Sequence, residues 1–368
     1  MRVLQVVTHM NRGGLETMLM NYYRNIERTQ IQFDFLTHRE KRGDYDDEIE
    51  ALGGTIYRLP ILNPWNKKYR RALATFFDEH PEYTVVHVHQ DCMSSVILKE
   101  ATKHNVPVRI AHSHNSNQDK NLKYLIKLIY RHYIPRYATH LFACGEEAGK
   151  WMFRGAKFEI LNNAIDSNRY VFDVEKRKKQ RKSLKLEENC LLIGHVGRFS
   201  PQKNHTFLID IFAQVCKKKN AKLLLVGNGE FRKQIEEKVA KLDLTESVIF
   251  AGLRSDVSDL MQAMDVFVFP SLYEGLPVTL IEAQASGLAC VISEKIPIEC
   301  KKTDFVQQIG LEESVDIWAD KIIEMAQMSR KNTYKEIKKS GFDIQENAKR
   351  LQSFYHDANK KEGKGCLY

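Results

Sequence analysis

The chain has 368 residues, 43% of them apolar and 28% charged, and carries a net charge of +9 at pH 7. That length exceeds what one hydrophobic core organises and fits two domains of roughly 150 to 200 residues. The balance of apolar to charged residues excludes a disordered or collagen-like chain. No window holds the ~18 to 20 apolar residues that cross a bilayer, and Met1 leads directly into a short strand pattern rather than a signal peptide, so a cytoplasmic location is expected. The seven cysteines (Cys92, Cys144, Cys190, Cys216, Cys290, Cys300 and Cys366) are scattered and form no CxxC. They read as reduced packing residues, neither a disulfide framework nor a zinc site. The positive excess asks for an anionic partner, whether nucleotide phosphate, acidic lipid or nucleic acid.

In chain order, the strand pattern Val3 to Val7 runs into His9-Met10-Asn11-Arg12-Gly13-Gly14-Leu15, after which Leu19, Tyr22, Tyr23 and Ile26 recur at helical spacing. Glycines between a strand and a helix let backbone amides approach an anionic or sugar ligand at the carboxyl edge of a sheet. A second strand pattern, Gln32 to Leu36, is followed by Asp44-Tyr45-Asp46. This DxD triplet has the composition of a metal ligand, but Asp44 is expected to cap a helix whose first turn holds the acids, and no metal is expected there. Strand patterns continue at Val85 to His89 and Val108 to Ala111, the latter leading into His112-Ser113-His114. From Lys120 to Pro135, Lys120, Lys123, Lys127 and Arg131 share one helical face while Leu122, Ile126, Ile129 and Tyr133 share another, a pattern that suits an anionic membrane surface. Leu141 to Cys144 and Glu159 to Leu161 complete a first set of strands.

Asp173 to Lys185 is basic and reads as a linker helix with a solvated charged face. A second set of strands follows at Leu191 to Val196, Lys222 to Val226, Val248 to Phe250, Val266 to Phe269 and Ala289 to Ile292. Strands alternating with helical patterns make an α/β protein of two doubly wound domains. After the first strand of this set comes Gly197-Arg198-Phe199-Ser200-Pro201-Gln202-Lys203, whose two cations could neutralise a diphosphate. After Val266 to Phe269 comes Glu274-Gly275-Leu276-Pro277, then a helical pattern that contains Glu282. A helix beginning near Pro277 leaves Glu274 ahead of it and Glu282 about two turns inside, with the Gly275 and Leu276 amides available to phosphate.

Gly197-Arg198 with Lys203, followed some seventy residues later by this Glu-x7-Glu segment, resembles the retaining GT-B glycosyltransferases called glycosyl transferases group 1. The Gly13-Gly14 loop, Leu161-Asn162-Asn163-Ala164-Ile165-Asp166 (similar to the family's "NGID" stretch) and Val226-Gly227-Asn228-Gly229-Glu230 fall in matching order, so the resemblance covers nearly the whole chain. Two features depart from it: Ala164 in the "NGID" stretch, and the lack of a Gly-Gly turn between Ser293 and Cys300, a region that resembles an exopolysaccharide and capsule subgroup.

The resemblance implies a GT-B fold: two Rossmann-like domains facing an interdomain cleft, with an acceptor-binding domain over 1–170, a donor-binding domain over 171–341 and a helix over 342–368 returning to the first. It implies transfer of a hexosyl or N-acetylhexosaminyl unit from a UDP-sugar, or a GDP-sugar, with retention and without metal or other cofactor. The acceptor implied is a saccharide on a lipid carrier such as undecaprenyl diphosphate. Arg198 and Lys203 would hold the diphosphate, Glu274 the sugar and Glu282 the ribose, with Gly275, Leu276, Gly13 and Gly14 also on the donor and a histidine touching the transferred sugar, His114 first as the one nearer the loop and His112 second. A nucleotide-sugar epimerase and a basic nucleic-acid-binding protein are the competing readings; the first leaves the glutamate pair without a task, and no nucleic-acid recognition motif supports the second.

Overall fold

The computed structural model describes residues 1–115 and 124–363. It divides into two units, Met1–Ala164 with the segment from Ile344 onward, and Ile165–Asp343. In the first unit, β1 (Arg2–Val6), β2 (Gln32–Thr37), β3 (Ile56–Arg58), β4 (Val85–Val88), β5 (Val108–Ser113), β6 (His140–Ala143) and β7 (Glu159–Ile160) form one parallel sheet in the order β3-β2-β1-β4-β5-β6-β7. In the second, β8 (Leu191–Val196), β9 (Ala221–Val226), β10 (Val248–Gly252), β11 (Val266–Phe269), β12 (Ala289–Ser293) and β13 (Val306–Ile309) are likewise all parallel, ordered β10-β9-β8-β11-β12-β13.

The order reverses beside β1 in one sheet and beside β8 in the other. Helices leave toward opposite faces there, so a crevice opens at the carboxyl ends of those strands, where doubly wound sheets bind ligands. The Gly13-Gly14 loop follows β1 and the Gly197-Arg198 loop follows β8, so topology sets both sequence motifs at the two crevices.

The central strands β4, β11 and β12 are buried along their whole length, as continuous apolar runs covered on both faces should be. The two strands absent from the sequence reading, β3 and β13, lie at sheet edges. They are short and carry polar residues such as Arg58, Gln307 and Gln308, because an edge strand buries less.

The basic stretch after Asp173 is the helix Val174–Ser183, with the Asp173 carboxylate capping the amides of Glu175 and Lys176. It is not simply a solvated linker. Arg177 donates to the carbonyls of Gln262, Ala263 and Met264 and pairs with Asp265, and Arg181 reaches Ala263, Asp265 and Cys190. These two arginines tie the helix to the carbonyl-rich end of the helix Val257–Ala263, while the lysines stay exposed. The C-terminal helix Ile344–Gly363 inserts Ile344, Ala348, Leu351, Tyr355 and Ala358 into the core of the first unit. Their spacing of four, three, four and three is that of one helical stripe.

Candidate functional site

In the second unit, the loop after β8 and the loop after β11 are stitched together. The Lys203 ammonium donates to Glu274 Oε1 at 2.6 Å, with side-chain exposures of 15% and 7%. The same ammonium lies 4.5 Å from the centroid of the Phe269 ring, the last residue of β11. Leu272 donates its amide to the Gln202 carbonyl, and the Gln202 side chain donates to the Tyr273 carbonyl. Two motifs 71 residues apart thus share one polar focus. Arg198 is exposed at the same loop.

Gly227 and Gly229 explain how Arg198 is presented. Gly227 has φ +138°, and a Cβ there would collide with the Gly197 carbonyl; one on Gly229 would collide with the Phe199 backbone. Only glycines let this loop run against the Arg198 loop, sealed by Phe199 and Asn228 and by Phe231 and Phe199. Phe199 is then buried and stacks on His205 at 4.2 Å, leaving Arg198 as the outward side chain.

The helix Val278–Ala285 begins one residue after Pro277, with Glu274 ahead of it and Glu282 inside it, as the sequence suggests. Glu282 is 7% exposed and accepts the Tyr170 hydroxyl at 2.5 Å. Burial holds its carboxyl above the usual range, against the pull of that bond and of the Arg169 charge. Tyr170 had no signal in the sequence; it stands on a 3-10 turn, Ser167–Tyr170, just beyond the "NGID"-like stretch. The Gly275 carbonyl lies near the Cys300 thiol, whereas Leu276 is buried.

In the first unit, Gly13 precedes the helix Gly14–Asn25. A side chain on Gly13 would strike the Glu16 carboxylate, whereas one on Gly14 would meet nothing within 4 Å. The Glu16 carboxylate therefore already stands at the positive end of this helix.

The two candidate histidines part company here. His112 is 1% exposed and buried in a stack with His87 and His114, with no partner for either ring nitrogen among the described residues. His114, half-buried at the end of β5, bonds through Nε2 to His89 Nδ1 at 2.8 Å, and its Nδ1 has no partner among the described residues. Burial keeps all four imidazoles neutral: His87, His89 and His112 lie well below the usual range and His114 is pushed down to about 3. The sequence does carry a signal for this cluster. His87 and His89, and His112 and His114, alternate along adjacent strands, which puts all four on one face. Ring nitrogens of His87, His89 and His112 lie within 4.8 Å of one another, a composition that suits a transition metal. Yet the rings stack, at 15° for His87 with His112 and 30° for His87 with His89. In-plane lone pairs of stacked rings run side by side and do not converge on one ion.

Asp44 does not cap the following helix. Tyr45 occupies the N-cap of Asp46–Ala51 without a side-chain cap, and Asp44 accepts instead from the Arg12 amide at 3.1 Å. Asp46 is 2% exposed and paired with Arg58, so the DxD carboxylates are separately engaged. Lys120 and Lys123 of the basic face lie outside the described residues. Arg131 is turned inward, donating to the Trp151 carbonyl at 2.9 Å with its guanidinium 4.9 Å from the Trp151 ring centroid. Arg131 is therefore no free cation. The helix Tyr124–His132 instead presents Leu125 and Ile129, 71% and 59% exposed, with Tyr133 one turn further on.

Two doubly wound α/β units, each with motif-bearing loops at the carboxyl ends of its parallel strands, have the architecture of the GT-B class. Residues 12–169 match Glycosyltransferase Family 4, and residues 176–357 match Glycosyl transferases group 1. The chain is 36% identical over 378 residues to EpsF of Bacillus subtilis (strain 168), named as a glycosyltransferase, covering 98% of each chain. It is 27% identical to the capsular polysaccharide biosynthesis glycosyltransferase CapH of Staphylococcus aureus, over 96% of this chain and 98% of CapH. It is 25% identical to the Escherichia coli UDP-Gal:alpha-D-GlcNAc-diphosphoundecaprenol alpha-1,3-galactosyltransferase over 58% of each chain. The crystal structure of Anabaena Alr3699/HepE in complex with UDP and glucose shares the fold, with a TM-score of 0.79, 19% identity and coverage of 97% and 99%. The protein belongs to the GT-B glycosyltransferases of group 1.

Proposed function

We propose that the protein transfers a hexosyl or N-acetylhexosaminyl unit from a UDP-sugar to a lipid-linked saccharide, with retention and without a divalent metal, in exopolysaccharide or capsule assembly. The observation that carries this reading is the Lys203–Glu274 contact, which joins a diphosphate-directed cation to the carboxylate that meets the sugar. Arg198 and Lys203 supply two fixed positive charges to the departing diphosphate, and the amino end of the helix after Glu274 adds its partial charge, which takes over the task of a divalent ion. Glu282 holds the ribose hydroxyls, the Gly13-Gly14 loop approaches the donor, and His114 rather than His112 touches the sugar, since His114 alone of the two stands at the strand's open end. UDP and an undecaprenyl-linked acceptor are supported by what the HepE complex and the E. coli relative bind or use.

A lipid-linked acceptor calls for the inner face of a membrane. The stripe of Leu125, Ile129 and Tyr133, with Trp65 63% exposed nearby and its ring 6.0 Å from Tyr130, supports an apolar interfacial contact in place of the purely basic one. Incubating the protein with UDP- and GDP-sugars in EDTA, following nucleotide release and assigning the product anomer by NMR, tests the reading. An inverted product, or activity that returns only with magnesium or manganese, would overturn it.

A further inference from the structure

The ring nitrogens of His114 have unequal surroundings, and the cause lies three residues away. His114 Nε2 is 2.8 Å from His89 Nδ1, His89 Nε2 is 2.9 Å from Gln5 Oε1, Gln5 Nε2 is 3.2 Å from the Tyr355 hydroxyl, and that hydroxyl is 2.7 Å from His87 Nδ1. Gln5 and Tyr355 are fully buried, so water does not compete along the chain. We propose that Gln5, His89 and Tyr355 are positioning residues that fix His114 in the tautomer with its proton on Nε2, leaving Nδ1 as a bare acceptor for a hydroxyl of the transferred sugar.

The protons can be followed from one end. Tyr355 has a single hydroxyl proton and two contacts, and 2.7 Å is the usual length for an O–H donor while 3.2 Å is the long limit for an N–H donor. The phenol therefore donates to His87, and its oxygen accepts from the Gln5 amide nitrogen. This orients the Gln5 amide, whose oxygen can only accept, so the proton between Gln5 and His89 belongs to His89 Nε2. A neutral imidazole carries one proton, so His89 Nδ1 is bare and the proton it receives is on His114 Nε2. His114, neutral as well, keeps Nδ1 bare. That nitrogen is buried and has no partner among the described residues, which is unfavourable for an acceptor until a donor reaches it. A sugar hydroxyl supplies that donor; a carboxylate in the same position would meet lone pair against lone pair. The C-terminal helix, through Tyr355, thereby acts on a strand end 241 positions earlier in the chain.

The inference rests on the reading that His114 meets the donor sugar, and the tests separate the two. Selective 15N-histidine NMR of the intact protein, with His114 assigned by difference from His114→Ala, should show Nε2 protonated and Nδ1 bare. His89→Leu should shift His114 toward a mixture of tautomers and lower kcat about 10- to 100-fold with little change in the donor KM, as a misaligned group would. His89→Asn, whose Oδ1 stands where Nδ1 did and can only accept, should recover most of that loss. Tyr355→Phe, which removes one oxygen from a site that keeps its ring, should reproduce the tautomer mixture should His89→Leu fold poorly. A wild-type His114 protonated on Nδ1, or equal loss in His89→Leu and His89→Asn, overturns the proposal. The expected tautomer together with full transfer by His114→Ala overturns the donor-sugar reading, and the proposal's function with it.

Discussion

Replacing Lys203 by Met should damage the protein twice, through fold and through chemistry, and the two effects are separable. The Lys203–Glu274 pair is mostly buried, so removing the ammonium takes the cation away from a carboxylate that is only 7% exposed. Breaking a buried pair costs about 3–5 kcal/mol. The lower end applies here because Lys203 retains some exposure and Met still packs on the Phe269 ring. At roughly 2–4 °C per kcal/mol for a unit of this size, a loss of about 3 kcal/mol lowers the melting of Ile165–Asp343 by about 6–12 °C. Turnover should fall by about one to three orders of magnitude, the scale of one lost charge-stabilising contact. The double variant Lys203→Met, Glu274→Gln leaves no unpaired charge and should recover most of the melting temperature while remaining inactive. Differential scanning calorimetry and UDP release measure both quantities. An unchanged melting temperature in the single variant, or a double variant that loses the sum of two penalties, would refute the reasoning.

Arg198→Ala should lower turnover by about one to three orders with no change in melting, since Arg198 is exposed. Glu282→Gln should weaken donor affinity chiefly, seen as a raised KM. It should also flatten a pH dependence: a carboxyl whose folded pKa is raised stabilises below about 4.5, its unfolded value, and that contribution is lost as pH rises through the folded value. Denaturant titrations from pH 4 to 7 should show that decline in the wild type and less of it in the variant. The histidine cluster has the opposite sign. With folded pKa values below 6.5, His87, His89, His112 and His114 favour the fold above that pH, and the first unit should weaken on acidification by up to about 1.4 kcal/mol per pH unit for each. His112→Phe should make that slope measurably shallower. Ile129→Ser with Trp65→Ser should abolish flotation with anionic liposomes; undiminished flotation would rule out the apolar stripe as the contact.

Much of this molecule is legible in the sequence because its information is local. Continuous apolar runs such as Val266 to Phe269 can only be buried strands, and glycine, proline and cation punctuation after β8 and β11 marks loops whose chemistry depends on residue type and order. What the sequence leaves open depends on neighbours distant along the chain. Edge strands β3 and β13 bury too little to declare themselves, and Arg177, Arg181 and Arg131 read as solvated charges until the carbonyls and the indole that receive them are brought near. Asp44 satisfies every local rule for a cap, yet the Arg12 amide takes it. For His112 and His114 the sequence offers only nearness to the loop, which favours His114; the different surroundings of the two, one buried and the other bonded to His89, come from pairing with β4. Hydrophobic periodicity and turn chemistry act over a few residues and so survive in one dimension. Which buried polar groups find partners is decided by the packing of a whole sheet against a helix that returns from the far end of the chain, and that exists only in three.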